Sequence, residues 1–287
     1  MRTKTALLLA ALLCSACSRQ APERPLSPAA SAPAVAAPVP QPQQAKVQDR
    51  YTPLMQAVYG ARYRVATGDA LAPMPDPDNP REQWQMVLEG VSSTVLPTGE
   101  TVLAVSGDSA NDDGTASADQ ASPGFLSLYL LRQQDGQWRL LRRHENVARL
   151  GSHGRIGKTS WVVLGQDRVG LAVEDTMANR GETTVHLALF DPLADQVTDL
   201  TGDGILIRSD NDDDCDESRE RCWHNAAQWH LAPSDALYYD LVLEIDSKVV
   251  TQKDGHREER GERGTARYVF ADGQYRPREG SNTVGMP

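Results

Sequence analysis

From Met86 onward, apolar and polar side chains alternate with a period of two, as strands with one buried face require. The runs predicted as strands are Gln85–Val91, Thr101–Ser106, Phe125–Arg132, Gln137–Arg142, Ser160–Gly165, Arg168–Glu174, Thr183–Phe190, Ile205–Ser209, Ala227–Leu231, Leu237–Ile245, Lys248–Gln252 and Ala266–Phe270. Trp84, Trp138, Trp161 and Trp229 fall within or beside these runs and read as core. Asp135-Gly136, Asp254-Gly255 and Asp272-Gly273 separate neighbouring runs, and Asp-Gly is the strongest short-range hairpin signal. Ahead of the strands, Thr52 and Pro53 suggest an N-cap and first helical position, with Leu54 and Val58 on one face of a short helix. Pro73, Pro75, Pro77 and Pro80 then read as a loop.

No helical period is long enough for a crossover between parallel strands. The expected fold class is therefore all-β: an antiparallel sandwich or propeller-like single domain after a disordered tether. A repeat of about 40–50 residues is not visible, which favours the sandwich.

The first 45 residues follow other rules. Arg2 and Lys4 precede an apolar run, Ala6 to Leu13, that suits the core of a secretory signal and is too short to span a bilayer. Ser15 and Ala16 then lead to Cys17. Residues 18–45 contain seven Pro and eight Ala and almost no large apolar side chain, so they cannot bury enough surface to fold. The expected organisation is 1–16 signal peptide, 17–45 modified Cys and Pro/Ala-rich disordered tether, and 46–287 a mostly β domain.

Charge narrows the partners. The formal net charge is −10, and removal of a signal containing Arg2 and Lys4 makes it more negative. Nucleic acid is not an expected partner, because phosphate binding rests on clustered cations. A basic protein or a metal cation suits the sign. Beyond Cys14 and Cys17, the only cysteines are Cys215 and Cys222, close enough to form a disulfide in an oxidising compartment.

That pair lies in the densest polar run, Asp210-Asn211-Asp212-Asp213-Asp214-Cys215-Asp216-Glu217. Asp210, Asp212 and Asp214 reproduce the start of a calcium loop, where alternating carboxylates converge on one hard cation. The sixth position is Cys215 instead of Gly, and the twelfth is Arg221 instead of Glu, so any Ca²⁺ site there is non-standard. Read as a contact surface, Asp210, Asp212, Asp213, Asp214, Asp216 and Glu217 attract a basic partner, and Trp223 beside the disulfide supplies an apolar anchor. A second acidic turn, Asp108 to Gly114, reads as a hairpin connection. His144-Glu145 lacks the second His of a zinc-protease motif, since position 148 is Ala. No nucleophile elbow, Walker loop or dinucleotide fingerprint occurs. The expected function is thus binding without catalysis and without a required cofactor, Ca²⁺ being the one candidate.

The Arg2–Cys17 segment resembles the signal and lipobox of bacterial lipoproteins, although Cys14 stands where Leu is usual. The resemblance implies acylation at Cys17 and, with Ser18 following, an outer-membrane anchor facing the periplasm. Together with the tether and the single domain carrying Cys215 and Cys222, the layout is similar to that of the periplasmic immunity lipoproteins of Gram-negative bacteria. That likeness implies an inhibitor which neutralises an antibacterial effector, such as a basic cell-envelope hydrolase, by surface complementarity. An envelope scaffold or assembly lipoprotein is the alternative, followed by an envelope hydrolase whose site the sequence does not reveal.

Overall fold

Among the described residues, fourteen strands run in chain order as one antiparallel meander, divided between two sheets. The computed structural model describes residues 50–76, 79, 81–215, 219–253 and 256–285. The expected signal, Cys17 and the tether lie outside these residues, which belong to the unit Lys46–Pro287. The first sheet holds β1 (Tyr63–Arg64), β2 (Asp69–Pro75), β3 (Gln83–Val95), β4 (Thr101–Ser109), β5 (Gly124–Gln134) and β6 (Gln137–Leu150) in that order. The second holds β7 (Lys158–Gly165), β8 (Arg168–Asn179), β9 (Glu182–Phe190), β10 (Ile205–Asp210), β11 (Arg221–Ala232), β12 (Asp240–Lys253), β13 (His256–Ala271) and β14 (Gln274–Gly280). Two large sheets place the fold on the sandwich side of the expectation.

Three apolar layers result. Leu103, Val105, Tyr129 and Leu131 of the first sheet pack under α1 (Thr52–Tyr59) with Leu54, Met55 and Val58. The alternate residues Val102, Ala104, Leu126, Leu128 and Leu130 face Leu171, Val173, Ala188 and Phe190 of the second sheet. The far face of that sheet curls around Leu187, Leu189, Leu241, Leu243, Ile245 and Tyr268. β5 is therefore buried on both faces, which explains its nearly continuous apolar sequence.

Several expectations need correction. α1 begins at Thr52 with Tyr51 as its N-cap; the Thr52 hydroxyl lies 2.8 Å from the Tyr63 hydroxyl instead of capping the helix. The loop expected around Pro73 and Pro75 is instead strand β2, paired with β3 at Pro73↔Gln85 and Pro75↔Gln83. Its other side beyond Ala70 has no β1 partner, so the missing N–H groups break no ladder bond there. Lys248–Gln252 and the Asp240–Ile245 part of the expected run Leu237–Ile245 belong to one strand, β12, while Leu237–Tyr239 precede it. The Trp side chains expected in the core sit at its margins, half-buried, and the Trp161 indole N–H donates to the Ser92 hydroxyl at 2.7 Å. Among the described residues no helix is long and apolar enough to cross a membrane.

β11 and β13 extend well beyond the runs predicted from alternation, and β12 joins two of them. β11 starts at Arg221 instead of Ala227, and β13 at His256 instead of Ala266. They form a three-stranded arm in unbroken register, from Arg221↔Thr251 and Lys253↔His256 inward. Along β12 the core-facing positions change from Leu241, Leu243 and Ile245 to Ser247, Val249 and Thr251. The arm thus leaves the apolar layer while its backbone pairing continues.

Candidate functional site

The acidic run lies beside the outer part of this arm. β10 ends at Asp210, paired with His224, and a single 3₁₀ turn covers Asp212–Asp214. The disulfide Cys215–Cys222 closes the loop onto β11. Asn211, almost fully buried, replaces a strand residue: its N–H donates to the Trp223 carbonyl at 3.2 Å and its Nδ2 to the Arg221 carbonyl at 3.1 Å. Its Oδ1 in turn accepts from the Trp223 N–H at 2.8 Å. A residue inside an acidic run thereby holds the run in place, a role the sequence reading did not assign.

Of the expected contact residues, Asp212 and Asp213 are exposed and Asp210 is buried. Asp216, Glu217 and the Asp214 side chain lie outside the described residues. Trp223 is half-buried, and its indole N–H donates to the Ser209 hydroxyl at 3.1 Å. It therefore packs against the loop and presents only part of its ring outward.

The loop is also less purely acidic than its sequence. Arg208 Nε lies 2.6 Å from Asp210 Oδ2. A shallow recess of about 320 Å³ on the arm's outer face is lined by Asp212, the disulfide, Trp223 and His224, and by Lys248 and Arg257 from β12 and β13. The cations come from strands distant in sequence, so the local reading missed them. The recess offers an acidic rim, two cations and an aromatic edge, a mixed-sign surface suited to protein contact.

Ligand atoms of Asp210, Asp212 and His224 lie within 4.8 Å of one another. His224 thus joins two of the three residues expected to bind Ca²⁺. The Nδ1 of His224 is 2.7 Å from Asp212 Oδ2, and Asp210 is held by Arg208, so these donors are already engaged with one another and with a cation.

A second cleft, of about 350 Å³, brings together Ser106, Asp108 and His153. Burial raises the Asp108 carboxyl above its ordinary range. The Ser106 hydroxyl, however, donates to the Gly154 carbonyl at 3.4 Å, and His153 Nδ1 lies 3.2 Å from the Ser152 hydroxyl. The nucleophile–base contact of hydrolytic catalysis is not made between these residues. The acidic turn beyond Asp108 is closed by its own bonds: Asp113 Oδ1 accepts from both the N–H and the hydroxyl of Thr115, which lowers its carboxyl. His144, on β6, is pushed below its ordinary value by desolvation and by nearby Arg142.

No family model matches the chain, and comparison with curated proteins and with solved structures returns no match.

Proposed function

We propose that residues 46–287 form the binding domain of a lipid-anchored envelope protein that neutralises a basic effector enzyme by surface complementarity. The observation that supports this reading is the stapled loop on the outer face of the arm. It places Asp212 with Trp223 at a recess shared with Lys248 and Arg257, and exposed Asp213 follows in the same turn. The disulfide, Asn211 and the β10–β11 pairing already restrict this loop, so it loses little conformational entropy on binding. The net charge of −10 steers a basic partner toward the domain, and the acidic rim gives it a place to dock. Cys17 and the 18–45 tether would hold the domain at the outer-membrane surface, facing the periplasm.

Photo-crosslinking in the native host tests this reading. A crosslinking side chain at Asp213 should capture a basic protein, whereas one at exposed Val95 on the first sheet should not. Equal capture from both positions, or none from Asp213, contradicts it.

A further inference from the structure

We propose that this chain pairs with a second copy of itself through the outer edge of β13, joining the two arms into one continuous antiparallel sheet. The inner edge of β13 pairs with β12 from His256 to Tyr268 without a bulge. The outer edge is covered by β14 only from Ala266 onward. Between His256 and Thr265, no described strand pairs with that edge, and every residue is exposed. Such an edge is a template for another strand unless charged side chains, proline or a bulge blunt it; this stretch has no proline, lysine or bulge, and its six charges oppose a second strand unless that strand matches them.

Its charges are self-complementary in one register. Residues 257–265 contain three Arg and three Glu, so the strand is neutral within a chain of net charge −10. An antiparallel pairing that sets Gly261 opposite Gly261 of the second copy uses this whole stretch on both sides. It then sets Arg260 opposite Glu262 and Glu259 opposite Arg263, each twice by symmetry, with no like charges opposed. The next antiparallel register toward the tip opposes Arg260 to itself and Glu258 to Glu262, and the next one the other way opposes Glu262 to itself.

The glycines agree with this register. Glycine weakens a strand and often marks the approach of another backbone. Neither Gly261 nor Gly264 has a positive φ. A Cβ at Gly261 would meet nothing nearer than the Ser247 carbonyl at 3.6 Å, and one at Gly264 nothing within 4 Å. The single chain therefore does not require glycine at either position. At the two-fold axis any charged residue would face its own copy, and glycine avoids that repulsion. Because the axis of an antiparallel pair is perpendicular to the sheet, both stapled loops would lie on the same face of the joined arms, giving a bivalent surface.

The test uses the full chain carrying Cys14→Ser and Cys17→Ser, so that the arm variants are the only free thiols. Sedimentation from micromolar to submillimolar concentration should show a monomer–dimer equilibrium. Arg260→Glu should weaken it by about tenfold, since two opposite-charge pairs become like-charge pairs. Adding Glu262→Arg should restore it. Both side chains are exposed, so the variants should retain the parent's circular dichroism. Under mild oxidation Gly261→Cys should crosslink to itself rapidly, whereas Thr265→Cys, set opposite Arg257, should not. A monomer throughout the range, an unchanged equilibrium in Arg260→Glu, or equal crosslinking at both positions overturns the proposal. Capture of an effector at Asp213 is read separately, so failure of either proposal is distinguishable from failure of the other.

Discussion

The carboxylate of Asp191, fully shielded from solvent, accepts a hydrogen bond from the Tyr238 hydroxyl at 2.8 Å across 47 positions of sequence. The same group accepts from Arg168 at 2.5 Å and from the Leu193 N–H at 2.8 Å. Arg168 also lies 5.5 Å from the Tyr238 ring centroid. The trio ties the start of β8 and the end of β9 to the segment entering β12. Asp191→Ala leaves Arg168 without its counter-charge and should destabilise the fold by about 3 kcal/mol or more. Tyr238→Phe should cost only about 1 kcal/mol. Urea unfolding followed by circular dichroism checks both, and equal small effects would show that the trio is not a structural hub.

Alkaline pH should unfold the domain through its buried tyrosines. Burial raises the Tyr59, Tyr129 and Tyr275 hydroxyls well above their ordinary value. Tyr238 is pushed up to about 12, first by burial and then by its bond to Asp191. Each fold-raised hydroxyl contributes stability that is complete below the unfolded value of about 10 and is lost as pH rises through the folded value. Tyrosinate absorbance should therefore lag free tyrosine and then rise together with loss of circular dichroism between about pH 10 and 12. Titration of every Tyr near its ordinary value in a folded protein contradicts this.

The disulfide should matter locally. Closing the loop between Cys215 and Cys222 contributes about 2.5 kcal/mol on the chain-entropy model. A Cys215→Ser/Cys222→Ser variant should lose up to that amount in urea unfolding and keep its strand content. Complete unfolding would mean that the arm depends on the staple.

The fold was legible where one strand face is apolar and the other polar. Thr101–Ser109 and Glu182–Phe190 are close to the expected runs for that reason. Two of the three Asp-Gly turns are described: Asp135 and Asp272 adopt φ near +50°, as such hairpins need. β2 was hidden by its prolines, and the outer half of β13 by being charged and exposed on both faces, so hydrophobic periodicity is silent there. In the candidate site, the disulfide, Asp212 and Asp213 were readable as local sequence. Asn211, Lys248 and Arg257 were not, because strand register alone brings the last two to the loop.

The lipid anchor at Cys17 is an expectation carried by Arg2 to Cys17. Cell fractionation should find the wild-type chain with the outer membrane and Cys17→Ala free in the periplasm. Membrane retention of the variant would remove the anchor from the account.

Association kinetics with the protein captured from Asp213 test the binding role most directly. Asp212→Lys/Asp213→Lys should slow association by about tenfold at low salt, and the two rates should converge as salt screens the field. Trp223→Ala should mainly speed dissociation. Wild-type association and dissociation rates for both variants at every salt concentration would contradict the assignment of this loop as the binding surface.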